Sequence, residues 1–204
     1  MKLYLEMNYL AHAYLSFEHK DVLAGNMISD FIKGKKQFDY PPHILAGIRL
    51  HRAIDQFTDE HPATKRIAAV FKPVYRLYGG AFADIVYDHC LANDTGQFAT
   101  LQELAAFTQR TYISLKANAA WFPPPFGHMF PYMQSQDWLY NYRFDEGIHK
   151  SFHGLTRRAA YIEESDTAFE LFLKNKPLFL DAYQDFFHSV KSFAVYNMEM
   201  LLKH

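Results

Sequence analysis

The 204-residue chain contains one cysteine, nine glycines and nine prolines. A single thiol cannot close an internal disulfide, which fits a reducing compartment, and a cytoplasmic location is expected. Glycine and proline are sparse for a protein of many short strands and turns. No stretch approaches the roughly 18 consecutive apolar residues of a membrane-spanning helix. The opening MKLYLEMNYLAHAYL is interrupted by Glu6, Asn8 and His12, unlike a signal peptide. Also missing are a glycine-rich phosphate loop, a G-x-S-x-G elbow and a His-Glu-x-x-His helix. Cys90 follows His89, but helix neighbours point about 100° apart, so adjacency does not make a thiol dyad.

Half of the residues are apolar, with nineteen Phe and fourteen Tyr, enough for a substantial core. The expectation is an all-α fold, one helical domain over residues 1–204. Periodicity predicts helices over Tyr4 to Phe17, Asp21 to Phe31, Pro42 to about Phe57, onward from Ala63, over AFADIVYDHCLAND, and over Leu101 to Ala119. Gly34 suits a helix stop, Pro41-Pro42 a helix start and Gly79-Gly80 a break. WFPPPFGHMFPYM, residues 121–133, has four prolines and is expected to be a structured, packed loop rather than a regular helix. From about Gln136 helical patterns resume.

The formal net charge is −1, but it is unevenly spread. Between Lys33 and Arg76 nine Lys or Arg face four acids, whereas from Ala159 onward seven acids face four bases. A polarised surface follows from that split, against the plainer reading of ordinary solvation.

Polar residues also occupy apolar stripes. Ile44, Ile48, His51 and Asp55 share one helical face, and His51 and Asp55, one turn apart, can offer a nitrogen and an oxygen to the same point. NYLAHAY presents Asn8 and His12 four apart, and GNMISD does the same with Asn26 and Asp30. Asp88 and His89 flank the stripe of Ile85, with Asp84 one turn earlier. Charge on a buried face needs a partner, and a metal ion is an efficient one. A mixed His/Asp set without a cysteine pattern points to Mn²⁺, Fe²⁺ or Zn²⁺ and to hydrolysis. Each residue has a plainer alternative: His12 as a hydrogen-bonded core histidine, Asp55 paired with Arg52 or Arg49, Asp59 capping the helix at Pro62, and Asp84 solvated.

N-Y-L-A-H-A, G-N-M-I-S-D-F-I-K-G, P-P-H-I-L-A-G-I-R-L-H-R-A-I-D-Q-F-T-D and Y-D-H follow one another in an order and spacing that resemble the bacterial acyl carrier protein phosphodiesterase family. A weaker echo runs through Trp138-Leu139, Tyr142-Arg143, Gly154-Leu155 and Arg157-Arg158. The resemblance implies a hydrolase that removes 4′-phosphopantetheine from the serine of holo-acyl carrier protein. It also implies an all-helical relative of the HD phosphohydrolases working with Mn²⁺, with Mg²⁺ or Fe²⁺ as alternatives. Carried over residue by residue, the metal and catalytic set is His12, Asp30, His51, Asp55, Asp88 and His89. Here Asp88-His89 reverses the His-Asp doublet of the broader superfamily.

Asp30 and Arg52 are the expected catalytic residues, with Arg52 or Arg49 facing the developing phosphoryl charge. Acyl carrier proteins are acidic, so Lys33, Lys35, Lys36, Arg49, Lys65 and Arg66 become the expected docking face. The 121–133 segment is expected to close over the pantetheine arm. Neither nucleic acid nor membrane is expected as a partner, and oligomeric state is left open. Two other readings stand beside it: an HD-like phosphohydrolase of a small nucleotide or phosphodiester, which shares the metal set but needs no docking face, and a non-catalytic helical binder of acyl carrier protein, which the aromatic richness supports and the His/Asp set does not bear on.

Overall fold

The computed structural model describes residues 9–203, and among them the regular structure is entirely helical. The first elements are α1 (Tyr9–Tyr14), α2 (Lys20–Ile28), α3 (Pro42–Glu60), α4 (Pro62–Tyr75) and α5 (Gly79–Ala92). They are followed by α6 (Leu101–Ala117), α7 (Pro124–Ser135), α8 (Trp138–Asn141), α9 (Asp145–Arg158) and α10 (Asp166–Leu202). Asn8 and the earlier part of the helix expected from Tyr4 lie outside the described residues.

Local chemistry explains most boundaries. Pro42 occupies the first turn of α3, where a missing N–H costs nothing. After α2 the chain tightens into a 3₁₀ turn, Ser29–Phe31, and a second one, Gly34–Asp39, opens on Gly34 at φ +54°, a conformation that favours glycine. The cap before α4 is His61, whose ring accepts from the Ala63 N–H, and not the expected Asp59, which falls inside α3.

The expected loop at 121–133 is largely helix. Pro124 stands in the first turn of α7, where proline is tolerated, and only Pro131 interrupts the interior. Phe126, Phe130 and Met133 fall at helical spacing on one buried face, and that apolar stripe outweighs the proline.

Two packing regimes share one continuous core. The 37-residue α10 lies along α3, α4, α5 and α9, and their interfaces are filled by phenylalanine rings such as Phe71, Phe82, Phe152 and Phe179. On the other side α2 and α3 cross almost backbone to backbone. A Cβ on Gly25 would collide with the Ile44 carbonyl, and one on Gly47 with the Val22 carbonyl. No helix of the described residues is long and apolar enough to cross a membrane.

Candidate metal centre

The glycine crossing places polar side chains from three helices against one another. His12 comes from α1 and Asn26 from α2, while Asp30 sits in the 3₁₀ turn that prolongs α2. His51 and Asp55 come from α3, four and eight residues after Gly47. The His12 and His51 rings stack with centroids 4.0 Å apart. His51 Nε2 lies 3.0 Å from Asp30 Oδ1 and 3.0 Å from Asp55 Oδ2, while His12 Nε2 lies 3.1 Å from Asp55 Oδ1.

Asn26 organises the other side of the cluster. Its Nδ2 donates to the His12 carbonyl and to Ser16 Oγ, both at 3.0 Å, which fixes the amide so that Oδ1 accepts from His51 Nδ1 at 3.2 Å. Ser16 in turn donates to the same His12 carbonyl at 2.8 Å. With the Nδ1 proton committed to Asn26, His51 directs Nε2 at the two carboxylates.

The electrostatics are those of a tight ion pair beside a neutral ring. Burial opposes protonation of His51, but Asp55 and Asp30 outweigh it and hold its pKa well above the usual imidazole range. Burial also opposes ionisation of Asp55, yet the His51 charge and contacts to both histidines keep its carboxyl well below the usual range. Burial, then the neighbouring His51, pushes the His12 pKa down.

The donor set fits a divalent ion. His12 is only 1 % exposed, Nδ1 has no partner, and Nε2 has only the 3.1 Å approach to Asp55 Oδ1, which falls short of a well-formed hydrogen bond. A buried imidazole with both nitrogens unsatisfied is costly unless something else occupies its lone pair. Ligand atoms of His12, His51 and Asp55 all lie within 4.8 Å of one another, two imidazoles and one carboxylate able to converge on a single first-row metal.

The other expected residues go elsewhere. Asp88 is fully buried and accepts from the backbone N–H groups of Leu10 at 3.1 Å and Ala11 at 2.8 Å, with Tyr142 as a side-chain donor. It thereby anchors the first turn of the helix that carries His12. Burial pushes its carboxyl well above the usual range, against the pull of those donors. His89 Nδ1 meets the Tyr142 carbonyl at 2.8 Å, and its ring stands edge-on to Phe172. Asp84 is buried, not solvated. Asp55 pairs with His12 and His51 rather than with Arg52 or Arg49.

Arg52 donates to Gln37 Oε1 at 2.9 Å and to the Ile32 carbonyl at 3.0 Å, bracing the turn that follows Asp30. Lys33, Lys35 and Lys36 are exposed on that turn, and Arg49 is exposed on α3. Lys65 is exposed on α4, whereas Arg66 pairs with Asp181 at 3.3 Å and Asp185 at 2.6 Å on α10. α7 lies over the same region through the Phe31–Phe126 ring contact and a 3.7 Å contact from the Tyr9 hydroxyl to Met129 Sδ. The residues whose part the pattern did not reveal are Ser16, Gly25 and Gly47. The glycines had a signal, since glycine inside a helical stripe costs about 1 kcal/mol against alanine and needs a packing reason.

A model of the acyl carrier protein phosphodiesterase family matches residues 7–190. The acyl carrier protein phosphodiesterase of Klebsiella pneumoniae subsp. pneumoniae is 31% identical over 160 residues, 77% of this chain and 81% of that protein. Those of Escherichia coli O139:H28 and Shigella boydii serotype 18 are each 30% identical over 155 residues, 74% of this chain and 79% of theirs. No solved structure matches. The chain belongs to the acyl carrier protein phosphodiesterase family.

Proposed function

We propose that this family member hydrolyses the phosphodiester between 4′-phosphopantetheine and the serine of holo-acyl carrier protein, using a divalent metal, Mn²⁺ by preference. The observation that carries the metal is the buried His12 ring, with both nitrogens unsatisfied and Nε2 set against Asp55 beside His51. Mg²⁺ or Fe²⁺ are the alternatives; the two imidazoles favour a first-row transition ion over Mg²⁺. Bound there, the ion supplies positive charge for the phosphoryl oxygens and acidifies water.

His12, His51 and Asp55 would hold the ion, with His51 giving up its Nε2 proton on binding it, and Asn26 holds the Nδ1–H so that Nε2 faces the site. Asp30, with one oxygen on His51 and a partly exposed side chain, takes a proton from the attacking water. The water oxygen bonds to phosphorus, the bond from phosphorus to the serine oxygen breaks, and that oxygen takes up the proton that Asp30 accepted. The products are apo-carrier protein and 4′-phosphopantetheine. Asp88 contributes through the α1 amides it holds, and His89 through the Tyr142 carbonyl. The fold is on this reading a divergent HD phosphohydrolase, with residues 1–204 acting as one catalytic domain in the cytoplasm.

Lys33, Lys35 and Lys36, on the turn just beyond Asp30, and Arg49, exposed on α3, form the face that meets an acidic carrier. That placement favours the carrier protein over a small phosphodiester, which needs no docking face. The test is mass spectrometry of holo-acyl carrier protein after incubation with the protein, with Mn²⁺ and separately with chelator. Loss of the phosphopantetheine mass with metal alone is expected; no loss in either condition contradicts the proposal.

A further inference from the structure

A cleft of about 1130 Å³ opens between α8 and α9, and none of His12, His51 and Asp55 is in its lining. Its volume lies just above the roughly 300–1,000 Å³ typical of small-molecule sites, too large for an inorganic ion alone. Trp138, Tyr142 and Phe144 supply aromatic wall, while Arg143, Lys150 and Arg158 supply charge.

The charge balance of this lining is specific. Asp145 is neutralised by Lys176 at 2.6 Å, and Glu146 takes Lys150 at 2.7 Å. Arg143 and Arg158 form no ion pair among the described residues, so within them two guanidinium groups of the lining have no carboxylate partner. Arg143 stacks over Phe144 at 4.7 Å and donates to the Tyr140 hydroxyl, yet its Nε is buried with no partner. A cationic wall without carboxylate partners among the described residues, and with an unsatisfied buried N–H, calls for an anionic ligand.

The cleft also has a route to the metal centre. Tyr142 lines it and reaches the buried Asp88 that anchors α1. Burial raises the pKa of the Tyr9 hydroxyl, the Asp30 charge raises it further and Arg158 draws it down, so Tyr9 stands within electrostatic reach of both.

We propose that this cleft receives the phosphopantetheine arm, with Arg158 binding the phosphate end and the Trp138–Phe144 wall packing along the amide-bearing chain. The inference rests on the proposed reaction for the identity of the arm, but its test is separate from turnover. Calorimetry with chelator present, so that no metal contributes, compares 4′-phosphopantetheine, pantetheine and inorganic phosphate. Wild type is expected to bind 4′-phosphopantetheine at least 10-fold tighter than either of the others. R158Q is expected to weaken that binding about 10–100-fold, as for a lost hydrogen bond to a charged group, and to leave pantetheine unchanged. S151W, which fills the cleft from α9, is expected to abolish binding, and it keeps the question open to test if R158Q fails to fold.

Equal binding of 4′-phosphopantetheine by wild type and R158Q, no binding by wild type, or undiminished binding by S151W overturns the proposal. Hydrolysis of holo-carrier protein by the same preparations judges the reaction. Turnover by R158Q with wild-type KM removes the cleft and keeps the reaction, whereas arm binding through Arg158 without turnover keeps the cleft and removes the reaction.

Discussion

Around Phe71, the rings of Phe82, Phe152 and Phe179 pack at centroid distances of 5.0 to 5.9 Å, stacked or edge to face, and the fit is carbon on carbon. Around His12, at the same depth, two imidazoles and a carboxylate are pressed together by a glycine-to-glycine helix crossing, and two ring nitrogens have no hydrogen bond. The first region gains stability from burial and asks nothing more of the molecule. The second is costly to bury as it stands, and that cost is the ground for proposing the metal there.

The comparison breaks most visibly when each region is damaged in turn. Phe71→Ala should cost about 3–5 kcal/mol in urea unfolding, while the protein that remains folded keeps its metal affinity. Loss of metal binding in step with that destabilisation would mean the two regions are one cooperative device. Asn26→Ala should do the reverse, lowering turnover or metal affinity about 10–100-fold because His51 loses the acceptor that fixes its tautomer. Full activity in that variant would show that the stacked rings hold their own orientation.

Smaller changes sharpen the boundary. Arg52→Gln removes the brace to Gln37 and the Ile32 carbonyl, so about 1–2 kcal/mol of stability should go, with turnover falling less than 10-fold. A loss of 1,000-fold would return Arg52 to the phosphate. Cys90 adjoins His89 in sequence, but burial and then Asp94 push its thiol up to about 12. At pH 8 its thiolate is scarce, and iodoacetamide labelling should be far slower in the native protein than in urea, with no effect on turnover. Rapid native labelling would place Cys90 outside the packed core.

Much of the centre was legible from spacing. Ile44, Ile48, His51 and Asp55 line one face of α3 as the pattern requires, and Asn26 and Asp30 converge on the same point from the α2 side. What spacing cannot supply is which helices touch. Asp88 shares the period of a ligand, yet both of its oxygens go to the amides of α1. Arg66 shares the charge of a docking residue, yet α10 supplies Asp181 and Asp185 to take it. The α7 segment misled for another reason, since counting prolines ignores that those in a first turn cost a helix nothing and that Phe126, Phe130 and Met133 reward it. The cleft between α8 and α9 had only the faint Tyr142-Arg143 and Arg157-Arg158 doublets to announce it.

The most direct measurement is a Mn²⁺ titration followed by electron paramagnetic resonance, comparing wild type with His12→Ala. A buried imidazole kept for a metal predicts that wild type quenches the free-ion signal stoichiometrically and that His12→Ala leaves Mn²⁺ free at the same concentrations. Equal quenching by both proteins would contradict the assignment of His12 as a ligand and, with it, the reading of the unsatisfied ring.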